Sequence, residues 1–521
     1  MRMQGILAAV LAVLPLVSSA ASPLQTREIN VDAARHSAPV DRFYALSVGS
    51  DYPGTLIRAD SQAQLLPTVQ ELGFQYLRFH DVFHDTLGTV RRVDGKIVYD
   101  WTKLDQLYDN LLAKGIRPFV ELGFTPDALK TSDQTIFYWK GNTSHPRPEM
   151  WSHLVDAFVR HMRERHGDEE VRKWFFEVWN EPNLKGFWEN ADRQAYFDLY
   201  ANSVRTIKAI DPQLRVGGPA TAGADWVPEL LAFAAANKLP IDFVTTHTYG
   251  VAGGFLDEEG KQDTKLMESP DAIVADVRKV RAQIDASAFP GLPLYFTEWS
   301  TSYTPRDFVH DSYISAPYIL TKLRQVRGLV SGMSYWTYSD LFEEPGPPPT
   351  PFHGGFGLMN REGIRKPAWF AYKYLNQLTG QDIPLTDGNA LASRDGDRVT
   401  VLGWDWQQPV QDVSNRPFYT RKLAATKARP LGVRVSNLPA GKYRVQLRRT
   451  GYLRNDPLSL YIDMGLPDRL TDVQLSRLQK ATADTPEWDR VVEVRSGSPF
   501  EVEVPMKTND VVLVTLVPVG G

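Results

Sequence analysis

The sequence contains no cysteine among its 521 residues. This absence excludes disulfide bonds, metal-thiolate sites and cysteine nucleophiles, so the chain has to be held together by its hydrophobic core. An excess of charge is also missing, because 58 basic residues face 62 acidic ones and leave a net charge of -4. That balance argues against a nucleic-acid partner. The sequence also shows neither a glycine-rich phosphate loop nor a repeat of solenoid period.

Long hydrophobic runs are absent beyond the first 20 residues. Residues 1–20 hold Arg2, an apolar run at 6–17 and then small residues up to Ala20. That order is typical of a secretory signal, and the run is too short to span a membrane. We therefore predict a signal peptide at 1–20 and a periplasmic or secreted protein that has no membrane contact after cleavage. The alternative for this stretch is a buried N-terminal helix.

What the chain does contain is an alternation of short apolar runs with helical periods. At 102–114, for example, Leu104, Leu107, Tyr108 and Leu111 recur at spacings of three and four, which indicates an amphipathic helix. Eight strands, each followed by a helix, are predicted at 43–48, 76–80, 118–124, 174–181, 215–219, 243–249, 294–299 and 332–338. Eight such units in one chain favour an α/β fold of the (β/α)₈ TIM-barrel type over a doubly wound sheet.

The character of the sequence changes after a helix that closes the eighth unit at 367–380. From there, strand-like runs at 398–404, 431–435, 442–447 and 511–516 are separated by turn residues, with one helix at 471–481 between them. We predict a barrel over 21–380 and a C-terminal β-sandwich domain over 381–521. Two questions stay open: whether the first barrel residues join the sandwich, and whether the sandwich binds carbohydrate or is a scaffold.

Two glutamates follow apolar runs that read as barrel strands. Glu181 comes after an aromatic and β-branched run and stands directly before Pro182, which cannot donate to a strand ladder. Glu298 is the carboxylate of the run at 294–299. Catalytic side chains of a barrel converge at the C-terminal ends of its strands, whereas a structural glutamate is usually placed on a helix surface. Strands four and seven would bring the pair together across the barrel mouth, as glycoside hydrolysis requires.

Five motifs around these glutamates resemble family 39 of the glycoside hydrolases, which includes β-xylosidases and α-L-iduronidases. They are Arg78-Phe79-His80-Asp81, Trp179-Asn180-Glu181-Pro182-Asn183, His247-Thr248-Tyr249, Thr297-Glu298-Trp299 and Phe352-His353-Gly354-Gly355-Phe356-Gly357. The resemblance implies that Glu181 is the acid/base and Glu298 the nucleophile. It further implies a substrate-binding set of His80, Asn180, His247, Tyr249, Trp336, Glu343 or Glu344, and Phe352, and it leaves open which of the two adjacent glutamates faces the sugar.

The same resemblance implies a retaining exo-hydrolase that releases β-D-xylose from the non-reducing end of xylo-oligosaccharides, with no cofactor and no metal. Tyr249 stands where the iduronidases carry a lysine for the uronic carboxylate, and this favours a neutral sugar. The alternatives are a related glycosidase acting on β-glucosides or α-L-arabinopyranosides, or a carbohydrate-binding barrel without catalysis. The sequence sets no oligomeric state.

Other interpretations compete at single positions. His80-Asp81-Val82-Phe83-His84 superficially resembles a zinc signature, but it starts at a strand end and its acid is aspartate. Tyr249 and His247 could instead satisfy buried backbone groups. The proline-rich run at 344–351 is either a stiff loop beside the pocket or a plain connector. Asn142-Thr143-Ser144 has the form of a glycosylation acceptor, which three residues support only weakly.

Overall fold

The computed structural model describes residues 24–35 and 37–520 of the chain. The predicted signal segment, residues 1–20, lies outside the described residues, so its assignment stays a prediction. Within the described ranges, no helix combines the length and the apolar character that a membrane crossing requires.

Eight parallel strands close into a barrel in chain order. They are Ser47–Gly49, Tyr76–Phe79, Arg117–Leu122, Phe175–Val178, Arg215–Thr221, Phe243–Tyr249, Leu294–Ser300 and Gly332–Tyr335. The eighth strand returns to the first through the pair Tyr335 and Val48. The (β/α)₈ barrel predicted from the alternating pattern is confirmed.

Each barrel strand is followed by a helix of ten residues or more. These helices are Ala59–Leu72, Thr102–Ala113, Pro148–His166, Arg193–Ile210, Val227–Ala236, Val274–Asp285, Ser315–Val326 and Pro367–Asn376. Their starts follow local rules: a proline occupies the first turn at Pro148 and Pro367, and the Asp192 carboxylate accepts the Ala195 N–H at 3.0 Å. Short α-helices at Pro53–Leu56 and Asp168–Val171 complete the outer layer.

The barrel interior is apolar at one end and charged at the other. Aromatic rings from five strands form one cluster at the N-terminal end, where Phe119 and Phe175 stack at 4.5 Å. Side chains two positions further along a strand point to the same side. That spacing places a second interior layer above the rings, made of Arg78, Glu121, Glu177 and Thr297, and it leads directly to the C-terminal mouth.

Several predicted strand bounds need correction: the third strand ends at Leu122 and not at 124, and the eighth ends at Tyr335 and not at 338. Residues Phe43–Ala45 form a short 3-10 helix, so the first strand is Ser47–Gly49 and not 43–48. The fourth strand ends at Val178, because Trp179 and Glu181 adopt positive φ angles of 69° and 44° that break the ladder. Glu181 therefore lies on the loop after the strand, where its backbone N–H donates to the Ala220 carbonyl at 2.8 Å.

Two further sheets pack face to face as the predicted sandwich. One has three strands, Arg27–Asp32, Leu431–Ser436 and Phe500–Val504. The other has six, in the spatial order Gln381–Ile383, Ala390–Asp395, Arg398–Trp404, Val511–Pro518, Gly441–Thr450 and Trp488–Val494. Ile29 and Val433 from the first sheet share a buried core with Val445 and Val514 from the second. The N-terminal strand Arg27–Asp32 thus belongs to the sandwich.

Helices and hairpins connect the sandwich to the barrel. The sandwich region carries helices Asn415–Tyr419, Pro457–Asp463 and Asp472–Ala481. Hairpins extend from the barrel loops as Val90–Val93 with Lys96–Tyr99, Thr135–Ile136 with Gly141–Asn142, and Val251–Leu256 with Gln262–Leu266. Asn415 donates through Nδ2 to the Asp307 carboxylate at 2.7 Å, and the Trp404 indole N–H donates to Thr321 Oγ1 at 2.9 Å. These polar contacts join the two domains.

Candidate active site

A fully buried arginine organises the mouth of the barrel. The Arg78 guanidinium donates through Nε to Glu177 at 2.6 Å, through Nη1 to Glu298 at 2.8 Å and through Nη2 to the side-chain Oδ1 of Asn180 at 2.8 Å. Nη2 also lies 3.0 Å from Glu121. Burial by itself lowers the pKa of Arg78, but Glu177, Glu121 and Glu298 outweigh it and raise that pKa. The arginine therefore remains charged and fixes the glutamate of the seventh strand.

Glu181 is buried and is held by a histidine. Its Oε1 lies 2.9 Å from His247 Nδ1, and its side chain faces the same space as Glu298. Burial raises the pKa of Glu181 to about 7, against the opposing charges of His80 and Arg78. A carboxyl group with a pKa of about 7 is protonated in about half of the molecules at neutral pH and can donate that proton.

Glu298 lies at a similar depth but receives different partners. Arg78 donates to its Oε1 at 2.8 Å, and the Tyr249 hydroxyl donates to its Oε2 at 2.8 Å. Glu298 thus accepts one hydrogen bond from a guanidinium and one from a phenol. One oxygen of Glu298, one of Glu181 and a nitrogen of His247 all lie within 4.8 Å of one another. The structure thus brings together two buried glutamates with different hydrogen-bond partners.

His247 is a neutral member of this group. Burial lowers the pKa of the imidazole to about 4, although the neighbouring Glu298 opposes that effect. Its Nδ1 lies 3.6 Å from Glu298 Oε2 in addition to its contact with Glu181, and its Nε2 is buried without a partner among the described residues. His247 therefore orients Glu181 without adding a positive charge that would favour the ionised glutamate.

His80 carries the second positive charge of the site. Its Nδ1 lies 2.8 Å from Glu121 Oε2 and its Nε2 lies 3.2 Å from Glu344 Oε1. Burial lowers the pKa of the imidazole, but Glu121, Glu344 and Glu298 outweigh burial and raise that pKa well above 6.5. Burial in turn raises the pKa of Glu344 to about 7. The histidine thus links the interior Glu121 to Glu344.

The two adjacent glutamates of the eighth loop point in opposite directions. Glu344 contacts His80, as described, whereas the Glu343 carboxylate accepts from the Arg58 guanidinium at 2.7 Å on the partly exposed side. The structure resolves the ambiguity in the sequence, because the two carboxylates have different partners at the start of a turn in which the Gly346 N–H donates to the Glu343 carbonyl. Glu344 lies at the site, and Glu343 lies on its outer rim.

An aromatic wall lies beside His80. The Trp336 ring centroid is 4.7 Å from that of His80, and Phe342 and Phe356 continue the wall behind it. Phe352, in contrast, is not brought to the glutamates: its ring packs on Tyr461 at 5.1 Å among residues of the sandwich region. The left-handed Gly354, at φ 76°, turns the loop between the two phenylalanines, so that Phe356 occupies the wall.

Buried ions hold the loop that presents Phe356. Lys366 Nζ lies 2.6 Å from a carboxylate oxygen of Asp311 and 2.6 Å from one of Asp340, and it donates to the Gly355 carbonyl at 2.9 Å. The same two aspartates accept the backbone N–H groups of Gly354 and Gly357, both at 2.7 Å. The glycines of the motif are explained by this close approach of backbone to carboxylate.

Metal binding fits these residues poorly. Glu181, His247 and Glu298 form a group with the spacing of three ligands, but the Arg78 guanidinium next to Glu298 repels a second cation. The zinc-like motif is divided between two separate environments. His80 pairs with Glu121, while His84 lies 2.9 Å from Thr86 Oγ1 through Nδ1 and 2.9 Å from the Trp139 carbonyl through Nε2.

Four buried residues in or behind the site had no role in the sequence analysis: Arg78, Glu121, Glu177 and Asp51. Arg78 was part of a motif without an assigned task. Glu121 and Glu177 each stand inside an apolar strand, and a charged residue at such a position is rarely buried without a partner. The sequence therefore did contain a signal for Glu121 and Glu177, namely a charged residue inside an apolar strand. Asp51 lies outside every motif and becomes visible only through its contacts in three dimensions.

Comparison with known proteins places the chain among carbohydrate-cleaving enzymes. The profile of Glycosyl hydrolases family 39 matches residues 27–497. The curated β-xylosidase of Caldicellulosiruptor saccharolyticus is 39% identical over 458 residues, which cover 87% of this chain and 91% of that protein. The solved GH39 enzyme from Xanthomonas axonopodis pv. citri is 73% identical with a TM-score of 0.95 and covers 97% of this chain and 100% of its own. A monomeric β-xylosidase from Caulobacter crescentus CB15 gives 66% identity, a TM-score of 0.94 and coverage of 95% and 100%.

Proposed function

The chain belongs to family 39 of the glycoside hydrolases, and we propose that it is a retaining exo-β-xylosidase that releases β-D-xylose from the non-reducing end of xylo-oligosaccharides. One observation carries the proposal: Glu181 and Glu298 offer oxygens within 4.8 Å of each other in chemically different surroundings. Retaining enzymes have carboxyl groups about 5 to 5.5 Å apart, whereas inverting enzymes need about 6.5 to 9.5 Å to admit a water molecule. The short spacing supports a covalent intermediate.

The first half of the reaction forms that intermediate. The Glu298 carboxylate attacks the anomeric carbon from the side opposite the leaving oxygen, and the bond to that oxygen breaks. Glu181 donates its proton to the departing oxygen, for which its raised pKa prepares it. The Asn180 amide, whose carbonyl accepts from Arg78, is oriented with its Nδ2 free to donate to the sugar 2-hydroxyl.

The second half releases the sugar. Glu181, now a carboxylate, takes a proton from a water molecule as the water oxygen attacks the anomeric carbon, and Glu298 leaves as a carboxylate. His247 keeps its contact with Glu181 in both halves. Two inversions at one carbon return the β configuration to the product.

The position of the eighth loop supports exo action. Glu344 is followed by the proline-rich run, and the Arg306 guanidinium donates to the Pro345 carbonyl at 2.9 Å. The Tyr138 N–H donates to the Glu344 carbonyl at 2.8 Å. These bonds hold the eighth loop beside Trp336 as a wall behind the bound sugar. A chain that extended past the non-reducing end would meet this wall.

Tyr249 supports a neutral sugar. Its hydroxyl donates to Glu298, so no cation is supplied there to pair with a uronic carboxylate. Burying an unpaired carboxylate costs several kcal/mol, which would lower the affinity about a thousandfold. Because relatives of this chain are β-xylosidases, we propose xylose as this neutral sugar.

Kinetics on four aryl glycosides tests the sugar assignment. Under one set of conditions, kcat/KM should be highest for the β-D-xyloside and lower for the β-D-glucoside and the α-L-arabinopyranoside. The α-L-iduronide should be the poorest substrate of the four. An iduronide that reacts fastest would refute the inference from Tyr249, and a glucoside that reacts fastest would replace xylose by glucose without affecting the mechanism.

We further propose that the enzyme is exported through its N-terminal signal and acts on small xylo-oligosaccharides outside the cytoplasm. The support is the order of charged, apolar and small residues at 1–20. Cell fractionation followed by N-terminal sequencing of the mature protein tests this. A mature chain that starts at residue 1 in the cytoplasmic fraction would contradict it.

A further inference from the structure

Asp51 is a buried carboxylate just after the first barrel strand, and nothing in the proposed reaction uses it. It is 1% exposed, and both of its oxygens accept hydrogen bonds. The Trp139 indole N–H donates to Oδ1 at 3.0 Å, and the Glu343 backbone N–H donates to Oδ2 at 2.8 Å. The Thr55 hydroxyl also donates to Oδ2, at 3.1 Å. No lysine, arginine or histidine of the described residues forms an ion pair with it.

The bonds of Asp51 to Trp139 and Glu343 join two loops, and these loops are also hydrogen-bonded to each other at the neighbouring residues. Trp139 follows Tyr138, whose N–H donates to the carbonyl of Glu344, and Glu344 follows Glu343. The loop after strand three and the loop after strand eight are therefore tied at two successive residues each. The backbone on both sides of Glu344 is fixed, and its carboxylate is left 3.2 Å from His80.

We propose that Asp51 is a positioning residue that fixes the Glu344 carboxylate against His80 and thereby sets the affinity of the site for the non-reducing sugar. This inference rests on the proposed function, in which Glu344 meets a sugar hydroxyl. Asp51 acts from behind the wall and touches neither the sugar nor the reacting atoms. The anchor is rigid because Asp51 is buried and bonds to the Trp139 side chain of one loop and to the Glu343 backbone of the other.

Arg58 provides a matched comparison on the same residue. Its guanidinium contacts the Glu343 carboxylate at 2.7 Å, but its side chain is 38% exposed. Such solvent-screened pairs contribute little to rigidity. If residue 343 were held only by surface contacts, losing the Arg58 contact and losing the Asp51 contact would change KM by the same amount. In the proposal, the buried hydrogen bond from the Glu343 N–H to Asp51 holds this part of the loop in place.

Asp51→Asn weakens the anchor without changing the volume of the side chain. An amide offers one acceptor oxygen, so its NH₂ group has to face either the Trp139 N–H or the Glu343 N–H. We expect KM to rise by about 10- to 100-fold while kcat changes by less than about threefold, because the lost contact is made equally in the ground and transition states. Arg58→Ala should raise KM by less than about threefold.

A double-mutant cycle with Glu344→Ala separates positioning from general damage. If Asp51 acts through Glu344, Asp51→Asn should add less than about threefold to KM once Glu344 is already alanine. Losses that multiply in the double variant would overturn the proposal, and so would an unchanged KM in Asp51→Asn. The cycle uses whichever of the four aryl glycosides the wild-type enzyme cleaves fastest, so an error in the sugar assignment leaves it intact.

A second variant covers the case in which Asp51→Asn fails to fold. Glu343→Pro deletes the N–H that Asp51 accepts, while Glu343→Ala keeps it and removes only the pair with Arg58. The proline variant should show the larger rise in KM. Equal KM values for the two variants would overturn the proposal, because the hydrogen bond from the Glu343 N–H to Asp51 would then have no effect on substrate affinity.

Discussion

The alkaline limb of the pH profile should report the proton on Glu181. Burial raises the pKa of this carboxyl from 4.5 to about 7, a difference that corresponds to about 3 kcal/mol in favour of the protonated form. At pH 6, a group with a pKa of about 7 is protonated in about ten molecules of eleven. A glutamate at 4.5 would be protonated in about one of thirty. The site thus enriches the acid form about thirtyfold.

The assay is kcat/KM from pH 4 to 9 with two xylosides that differ in their leaving group. With an alkyl xyloside, which needs protonation, activity should fall tenfold per pH unit above about 7. Glu181→Ala should lower activity on this substrate by about 10² to 10⁴, yet spare a dinitrophenyl xyloside, whose phenolate leaves unaided, and abolish the alkaline limb. Glu189→Ala, which changes a glutamate of the same loop that accepts from Ser132, should keep the limb.

Glu298→Ala should behave differently, because no other group can form the covalent intermediate. Turnover should be lost for both xylosides, and added azide should rescue only Glu181→Ala, with a β-glycosyl azide as product. Rescue of Glu298→Ala to the same β-azide would reverse the two roles. A limb near pH 7 that survives in Glu181→Ala would refute the assignment and point to Glu344, whose burial raises its pKa to about 7 as well.

Three further predictions test other parts of the site. NMR of the sugar first released from a β-xyloside should show the β anomer, and early appearance of the α anomer would exclude retention. Gly49→Ala should raise KM at least tenfold and loosen the aromatic wall, because a Cβ at Gly49 would lie 2.1 Å from the Trp336 ring; unchanged kinetics and tryptophan fluorescence would contradict this. Since the folded-state pKa of Glu344 is raised, its contribution to the free energy of unfolding is present below about pH 4.5 and is lost as the pH rises to about 7. Urea unfolding at pH 5 and pH 8 should therefore show a smaller decline for Glu344→Gln than for the wild type, by up to about 3 kcal/mol.

The barrel could be predicted because hydrophobic periodicity encodes which face of each element is buried. The spacing of Leu104, Leu107, Tyr108 and Leu111 gives the helix Thr102–Ala113 to within one residue. Strand ends were less predictable. The fourth strand stops at Val178 because of positive φ angles at Trp179 and Glu181, and neither is a residue type for which such a conformation is expected.

The candidate site was predicted where it follows strand ends and missed where it depends on contacts between loops. The direction of the Glu344 side chain depends on two backbone hydrogen bonds: the Tyr138 N–H donates to the Glu344 carbonyl, and the Glu343 N–H donates to Asp51. Tyr138 and Asp51 both lie more than 200 residues before Glu344 in the chain. Phe352 was expected at the sugar because of its motif, but the turn at Gly354 presents Phe356 there instead. No local pattern contains this information.

Depth alone does not distinguish the two catalytic glutamates, since Glu181 is 8% exposed and Glu298 is 5% exposed. The difference lies in their partners. Glu298 accepts from a cation and from a phenol, whereas Glu181 faces His247, whose own pKa burial lowers to about 4. A protonated imidazole at that position would pull the proton from Glu181 by stabilising its carboxylate. The buried, neutral state of His247 is therefore a condition for acid catalysis in the proposed mechanism, and the bonds from Arg78 and Tyr249 to Glu298 give the two glutamates different surroundings.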